Sequence, residues 1–496
     1  MGEAKQETLA GMKFNRAVRV EARPEKLSDS GGAVLVREAL ERTGLLRSLS
    51  DAIEDPRDPE RLTHPQKELL ATFVTMLALG WRDQDDADAL RKDPLLRLSV
   101  SERSGDAPLR DDPEFAQTRN PPVPQGLASQ PTLSRLLHRL AEPARLEALR
   151  GGLRECAERR LLALNNGRKT AHLTLDVDGL PIPVEGQQPG SAYNGYVHDT
   201  IFYPLVTTSA ELGDMIAVRL RRGNAGAAED ACEAIREDVQ WARAHLAHSV
   251  SVRIDAGMPS EGLLRMMEDD RVRYVARLKN NAVLDRLAAP YLKRPSGRRP
   301  STVRTWIHEC RYQAESWSRS RRVVLVVVDE PGELILRHFW IVTNWRADKV
   351  PGEQVLARYR RRGTAEGHLG EFKDVVGLKL SCSPRGERSE DWRGQIIGPV
   401  RPCDDPFFRA NDALLQLCAI AYNAIHMLRR VLYLSLPVEE HGWSLRRVRE
   451  RILRVAARVS LHARRVIVVV TQASARYWSL IWEHWNALDD PLPHGR

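Results

Sequence analysis

The chain has 496 residues, of which 42% are hydrophobic and 28% charged, so its composition is that of a folded protein with two to four domains. Its 75 lysines and arginines exceed its 66 acidic residues and leave a net charge of +9, which suits a polyanion such as nucleic acid but also an ordinary basic enzyme. The six cysteines form no C-x-x-C pair, and no apolar run approaches the ~18 residues of a membrane helix. We therefore expect a cytoplasmic protein without a zinc ribbon, a disulfide framework or a membrane partner.

The first 165 residues predict a helical region. Residues 1–25 are polar and predict a loosely ordered start, whereas apolar residues recur at helical spacing over 33–53 and 65–80. Residues 101–128 are rich in proline, serine, aspartate and glycine and predict a linker. A further helix begins near Thr132, a plausible N-cap, and its apolar pattern continues towards Leu164.

The pattern then changes to a mixed α/β order. Residues 172–178 alternate like a strand, and four more strand-like segments follow, interleaved with two helical ones, up to residue 278. This order predicts a mixed sheet, in which ligand groups gather at strand ends. The predicted catalytic core comprises residues 166–278 and 351–430.

Residues 279–350 interrupt the alternation with a basic loop and three strand-like segments, and we predict an inserted β-rich module there. The helical pattern resumes at Glu353 and runs to about Phe372. Further helices are predicted over 411–432 and 445–470, so the C-terminal region, 431–496, is expected to be helical. Its many arginines favour DNA binding or dimerisation, although an arginine-rich solvated face is an equal alternative.

Carboxylates occupy positions where phosphodiester chemistry needs them. Asp176 and Asp178 are two residues apart and therefore share one face of a predicted strand. Asp255 ends another strand just before a glycine turn, and Glu366 lies on the predicted helix. Each acid could instead be a turn, cap or solvated residue, but the combination is difficult to obtain by chance.

The helix that carries Glu366 has an unusual mixed face. At about 100° per residue, Tyr359, Arg362, Glu366 and Lys373 fall on a stripe roughly 60° wide. Such a stripe suits a surface where the cations hold a phosphate backbone while the acid holds a metal ion. Hard oxygen ligands of this kind bind Mg²⁺.

The spacing Tyr359-x2-Arg362-x3-Glu366-x6-Lys373 resembles the motif of bacterial insertion-sequence DDE transposases, which have a ribonuclease-H-like catalytic core. The resemblance implies a mixed α/β sheet core with an inserted β-rich module, flanked by helical regions. It implies that Asp255 and Glu366 are the second and third catalytic acids and metal ligands. We assign the first to Asp178, with Asp176 as the alternative and a further candidate metal ligand.

The resemblance also implies the reaction and the partners. Two Mg²⁺ ions, replaceable by Mn²⁺, would serve a metal-dependent endonuclease and strand transferase. It would cleave double-stranded DNA at terminal inverted repeats and join the freed 3′-hydroxyl ends to target DNA. Tyr359, Arg362 and Lys373 would contact phosphates. A homodimer in the DNA complex, a DNA-end-binding role for the N-terminal helices, and a bacterial cytoplasmic, nucleoid-associated location follow from the same resemblance.

The sequence departs from the family pattern at one position. The family usually has Ser or Thr closely after the first acid, whereas here Asp178 is followed by Gly179 and Leu180. This departure leaves room for a catalytically impaired DNA-binding regulator derived from a transposase. A separate alternative is a ribonuclease-H-like nuclease without strand transfer.

Overall fold

The computed structural model describes residues 7–11, 13–15, 17–22, 25–111, 124–184, 186, 188–294, 301–377, 379–382, 389–390, 396–397, 405–462 and 465–489. The chain divides into two compact units. The terminal unit comprises Met1–Ser50, Glu54–Ser134 and Met427–Arg496, and the sheet unit comprises Asp51–Ile53 and Arg135–His426. In the described part, no helix is both long and apolar enough to cross a bilayer.

The α-helices are, in chain order, α1 (Ala33–Arg42), α2 (Leu45–Ala52), α3 (Gln66–Leu79), α4 (Asp86–Ala89), α5 (Pro94–Val100), α6 (Gln130–Leu140), α7 (Pro143–Leu164), α8 (Ala231–His245), α9 (Glu261–Asp269), α10 (Ala282–Ala288), α11 (Gly352–Arg360), α12 (Arg362–Phe372), α13 (Pro406–Ser435), α14 (Leu445–Val448) and α15 (Gln472–Asp489). Short π-helical turns follow α12 at Lys373–Gly377 and α14 at Arg449–Leu453.

The strands are β1 (Glu7–Gly11), β2 (Arg19–Ala22), β3 (Lys26–Ser28), β4 (Thr170–Gly179), β5 (Ile182–Pro183), β6 (Ala192–Asn194), β7 (Asp199–Phe202), β8 (Leu205–Ser209), β9 (Met215–Arg219), β10 (Ala247–Ile254), β11 (Arg273–Leu278), β12 (Arg304–Tyr312), β13 (Arg321–Asp329), β14 (Arg337–Thr343), β15 (Ser389–Glu390), β16 (Ile396–Ile397), β17 (Ala457–His462) and β18 (Arg465–Val470).

The terminal unit contains strands where we predicted none. β1 and β2 form an antiparallel pair within the predicted loose start. The prediction of a helix over 445–470 is wrong beyond α14, because β17 and β18 form an antiparallel pair there and β3 joins β17. The physical reason is a period of two: Ala457 and Val459 are buried, and Val466, Val468 and Val470 pack against the same small core.

The sheet unit is built on an eight-stranded sheet of order β12-β13-β14-β11-β10-β4-β8-β9. β4, β10 and β11 are parallel, whereas β8 is antiparallel to β4 and β9 is antiparallel to β8. Together with the helices at both ends of the chain, this confirms the predicted fold class, a mixed α/β sheet consistent with a ribonuclease-H-like core.

The segment predicted as an inserted module contains the expected β structure. β12, β13 and β14 are antiparallel, but β14 also pairs with β11, so the three strands extend the main sheet instead of forming one of their own. One short helix, α10, precedes them. The functional division of the chain at residues 165, 278, 350 and 430 stays a prediction.

Helices cover both faces of the main sheet. On one face, Val239 of α8 and Met267 of α9 share a core with Leu175, Val177 and other inward residues of the central strands. On the opposite face, α11 contributes to a second core, made by Val275, Val324, Val326, Ile341, Val350, Val355 and Leu356. Because side chains alternate along a strand, residues 176 and 178 of β4 lie on the α11 side.

Candidate active site

Two of the predicted acids lie side by side at the ends of neighbouring parallel strands. Ile254 of β10 is paired with Val177 of β4, so Asp255 and Asp178 follow at adjacent positions. Val177 and Ile254 point into the core beneath α8 and α9, which leaves the acids on the opposite face. The carboxyl end of the central strands therefore presents the carboxylates of Asp178 and Asp255 to α11 and α12.

The third acid comes from α12, and one guanidinium links it to the other two. Arg362 donates hydrogen bonds to Glu366 Oε1 and to Asp178 Oδ2. Its Nη1 also lies 3.9 Å from Asp255 Oδ1. The Arg362 side chain is only 10% exposed, whereas that of Glu366 is 59% exposed. Residues distant in sequence thus gather their carboxylates around a single cation.

The electrostatics of this cluster follow from burial and from like charge. Burial raises the pKa of Asp178 to about 6; Arg362 opposes the rise, and the neighbouring Asp255 and Glu366 reinforce it. Burial works against the charged form of Arg362, but Asp178 and Asp255 prevail and raise the pKa of the guanidinium. The three acids therefore need a positive charge among them at neutral pH.

Asp176, the alternative first acid, has a different environment. It is 4% exposed, and both of its oxygens accept hydrogen bonds from Arg253, from Nε and Nη2, at 2.5 Å each. Arg253 also donates from Nη1 to the carbonyl of Arg358 at 3.0 Å, so the pair ties β4 and β10 to α11. Burial raises the pKa of Asp176, and Arg253 opposes this. Its carboxylate is thus engaged in a buried ion pair.

The helix that carries the motif is not continuous. We predicted one helix from Glu353 to about Phe372, but α11 ends at Arg360, and Arg361 separates it from α12. Tyr359 nonetheless lies near the acids: burial raises its pKa, and Asp255 raises it further. Contacts therefore group Arg362 with the three acids, and the electrostatic influence of Asp255 extends to Tyr359.

Lys373 is separate from this group. It is exposed and begins the π-helical turn after α12. Among the described residues, no hydrogen bond or ion pair connects it to the acids. Its predicted phosphate contact stays a prediction.

Sequence reasoning missed two residues beside the site. Arg277 of β11 is close enough to Tyr359 to lower its pKa and lies with its guanidinium 5.1 Å from the Phe339 ring centre. Tyr203, between β7 and β8, is close enough to Asp178 and Asp255 for both to raise its pKa, after the larger effect of burial. Both residues reach the site through strand pairing distant in sequence, and no local motif marks them.

The donor set fits a divalent cation. In the part of the chain that the structure describes, no three His, Cys, Asp or Glu side chains are close enough to form a metal cluster as they stand. However, Asp178, Asp255 and Glu366 share Arg362 as a counter-ion, and carboxylate oxygens are the ligands that Mg²⁺ prefers. A cation in this position would offset the burial of the Asp178 carboxylate and its repulsion from Asp255 and Glu366, which together raise its pKa.

Comparisons with known proteins give the family. The family model described as "Transposase DDE domain group 1" matches residues 10–386. A search of the curated proteins finds no match. Among solved structures, one similar chain is a piggyBac transposase, seen by cryo-EM in a synaptic complex with hairpin DNA. The match has 13% sequence identity and a TM-score of 0.38, and covers 93% of this chain and 83% of that chain. DDE transposases generally use divalent metal ions, and the family match over most of the chain shows that this protein belongs to the DDE transposases of group 1.

Proposed function

We propose that this transposase cleaves DNA at the terminal inverted repeats of an insertion sequence and joins the freed 3′-hydroxyl ends to target DNA. Asp178, Asp255 and Glu366 are the catalytic acids. The observation that carries the proposal is the convergence of these three carboxylates around Arg362. Asp176 is excluded from the proposed set, because its carboxylate is engaged by Arg253.

The acids hold two Mg²⁺ ions, and Mn²⁺ can replace them. Ions bound there would supply the Lewis-acid chemistry that makes a water molecule or a 3′-hydroxyl a nucleophile and stabilises the leaving oxygen. Tyr359, Arg362 and Lys373 contact the phosphates beside the cleaved bond and orient the strand. Arg362 suits contact with a phosphate as well as contact with the acids, since a guanidinium binds a carboxylate or a phosphate with the same two donors.

The flanking regions serve the DNA and the assembly. The N-terminal region, 1–165 with its linker 101–128, binds the inverted repeats, and residues 431–496 bind DNA or a second copy. Because transposition joins two DNA ends, the working form is a homodimer. We place the protein in the bacterial cytoplasm, associated with the nucleoid when it acts. The core, 166–278 and 351–430, carries the chemistry, and residues 279–350 form an extension of it.

The test uses the DNA that flanks the reading frame. Short inverted repeats there provide a duplex substrate, and nicking and strand transfer are followed on gels with and without Mg²⁺. Glu366→Gln should abolish both activities and leave DNA binding largely unchanged, whereas Glu353→Gln on α11 should behave as wild type. Normal cleavage by Glu366→Gln would contradict the site, and cleavage without strand transfer by the wild type would favour a nuclease.

A further inference from the structure

The helix that carries Glu366 has little helical stability of its own. α12 contains Gly363, Gly367 and Gly370 among its 11 residues, and glycine is second only to proline as the least favourable residue in a helix interior. A Cβ at any of the three would meet nothing within 4 Å outside the helix itself, so close packing does not require them. The helix is also separated from α11 at Arg361 and ends in a π-helical turn. The position of the Glu366 carboxylate therefore depends on what contacts the rest of α12.

One contact joins α12 to the strands that carry the other two acids. Arg362 donates to Asp178 Oδ2, and its Nη1 lies 3.9 Å from Asp255 Oδ1. Divalent ions bound to the same carboxylates would bring more positive charge than Arg362 does and would repel it. In the proposed function Arg362 then contacts a phosphate instead of the acids. A second attachment of α12 is therefore needed if Glu366 is to stay within reach of the ions.

Aromatic rings attach the other side of α12 to α13. At about 100° per residue, His368 falls on the opposite side of α12 from Glu366. The ring centres of His368 and His426 lie 5.5 Å apart, edge to face, and those of Phe372 and Tyr422 are related in the same way at 5.5 Å. Tyr422 and His426 are both buried and stack on each other, with ring centres 5.7 Å apart. Four packed rings thus hold α12 from behind.

The turn between β8 and β9 completes this contact. The Tyr422 hydroxyl donates to the carbonyl of Gly213 at 3.4 Å and lies 3.3 Å from His368 Nδ1. A hydroxyl has one proton, so His368 Nδ1 is the donor in the second bond. Gly213 has a φ of +78°, and a Cβ there would lie 2.5 Å from His368 Cε1 and 3.0 Å from His426 Cε1. We name the contact the α12–α13 junction; its members are His368, Phe372, Tyr422, His426 and Gly213.

The junction has a fixed position relative to the first acid. The Gly213 N–H donates to the carbonyl of Ser209 at 2.7 Å, and Ser209 ends β8, which pairs with β4 alongside Asp178. On α13, Asn423 accepts from the N–H of Met215 and donates to its carbonyl, both at 2.9 Å. Met215 begins β9, the last strand in the order of the main sheet, so the Asn423 amide takes the place of a further strand. The sheet that carries Asp178 therefore also holds the junction.

We propose that Tyr422 and Gly213 are positioning residues, which act through His368 and keep Glu366 within reach of the metal ions once Arg362 has released the acids. The proposal rests on the proposed function. It assigns different tasks to the two attachments of α12: ions and a phosphate replace the contact through Arg362, whereas the α12–α13 junction stays closed throughout. Loosening the junction therefore weakens metal binding and leaves DNA binding unchanged.

The first experiment measures the affinity of the full chain for Mn²⁺ without DNA, from the electron paramagnetic resonance signal of the free ion. Gly213→Ala should weaken Mn²⁺ binding by about tenfold, because the added methyl group displaces the His368 ring and α12 with it. Gly332→Ala is the matched control: Gly332 has a φ of +86°, but a Cβ there would meet nothing within 4 Å. It introduces similar backbone strain without a contact and should bind Mn²⁺ as wild type does. Glu366→Gln shows the effect of losing the ligand itself.

The second experiment uses a variant that disturbs the fold less. Tyr422→Phe keeps the ring in the junction and removes only the hydroxyl that joins His368 to Gly213. It should weaken Mn²⁺ binding by about threefold, and its nicking rate should fall at low Mn²⁺ concentration and recover when Mn²⁺ is saturating. Its affinity for the terminal-repeat duplex in EDTA should change by less than about twofold. Tyr312→Phe is the control, because it removes another buried hydroxyl, which accepts from Asn281 at 3.1 Å, and it should bind Mn²⁺ as wild type does.

The outcomes separate the positioning role from the proposed function. If Glu366→Gln binds Mn²⁺ as tightly as wild type, the metal site is wrong, and the proposed function fails together with the positioning role. If Glu366→Gln loses affinity while Gly213→Ala and Tyr422→Phe do not, the site stands and the positioning role is overturned. Equal weakening in Gly213→Ala and Gly332→Ala would also overturn it, since backbone strain alone would then explain the loss.

Discussion

At the residue scale, Arg362 acts as an internal counter-ion for the three acids. Only 10% of its side chain is exposed, so bulk water cannot take over its role as counter-ion to the acids. Arg362→Gln should therefore lower the free energy of unfolding by about 1–3 kcal/mol near pH 8 in EDTA, because three carboxylates lose their shared counter-ion. Chemical denaturation measures this loss, and Arg361→Gln, an exposed neighbour, is the control.

The pH dependence of that loss is a sharper test. Near pH 5 most of Asp178 is protonated, since its pKa is about 6, so the repulsion that Arg362 relieves is weaker. The destabilisation by Arg362→Gln should be clearly smaller near pH 5 than near pH 8. An equal loss at both pH values, or the same loss in Arg361→Gln, would contradict the counter-ion role.

Asp178 itself should show the linkage between its pKa and stability. Its pKa in the folded protein is about 6, against an ordinary value of 3.8, so the unfolded chain releases this proton at lower pH. The stability that Asp178 contributes is therefore fully present below about pH 4 and is lost as the pH rises through about 6. When the pH is raised from about 4 to about 7 in EDTA, the free energy of unfolding of wild type should fall by about 1–3 kcal/mol relative to that of Asp178→Asn. If urea denaturation gives the same difference in unfolding free energy between wild type and Asp178→Asn at every pH, the raised pKa is wrong.

At the element scale, a buried ion pair fixes the helix that carries the motif. Arg253 joins Asp176 to the carbonyl of Arg358 and so sets the position of α11. Removing one partner of such a pair leaves an uncompensated charge in the interior. Asp176→Asn should cost about 3–5 kcal/mol of unfolding free energy at neutral pH. Asp178→Asn should lower the free energy of unfolding by less than Asp176→Asn does, and it should abolish nicking.

This contrast decides between the two candidate first acids. Thermal denaturation and nicking are measured on both variants, with nicking at a temperature where each is folded. If Asp176→Asn is as stable as wild type and inactive, then Asp176 is the catalytic residue and our assignment is wrong.

Local signals in the sequence predicted several elements, although the alternation over residues 457–470 was interpreted as a helix. Alternation identified β4 and β10, and the strand-end position of Asp255 and the spacing from Tyr359 to Lys373 pointed to the site. The elements and contacts that the sequence did not predict depend on packing between residues distant in sequence. The strand pair β17–β18 depends on a partner, β3, hundreds of residues away, and Tyr203 reaches Asp178 only through the folded sheet. The break at Arg361 has no proline to mark it, and the nearest glycine, Gly363, lies inside α12.

At the scale of the whole molecule, the net charge of +9 predicts DNA binding that weakens steeply with salt. Each phosphate neutralised by a cation adds about 0.9 to the slope of log affinity against log salt concentration. If Lys373 contacts a phosphate, Lys373→Ala should reduce this slope by about 1 for every duplex tested, whatever its sequence. Arg265→Ala is the matched control, because α9 lies on the opposite face of the main sheet from α11. A Lys373→Ala slope equal to that of wild type would remove Lys373 from the phosphate-binding set, while an equal reduction in Arg265→Ala would mean that the slope reports net charge alone.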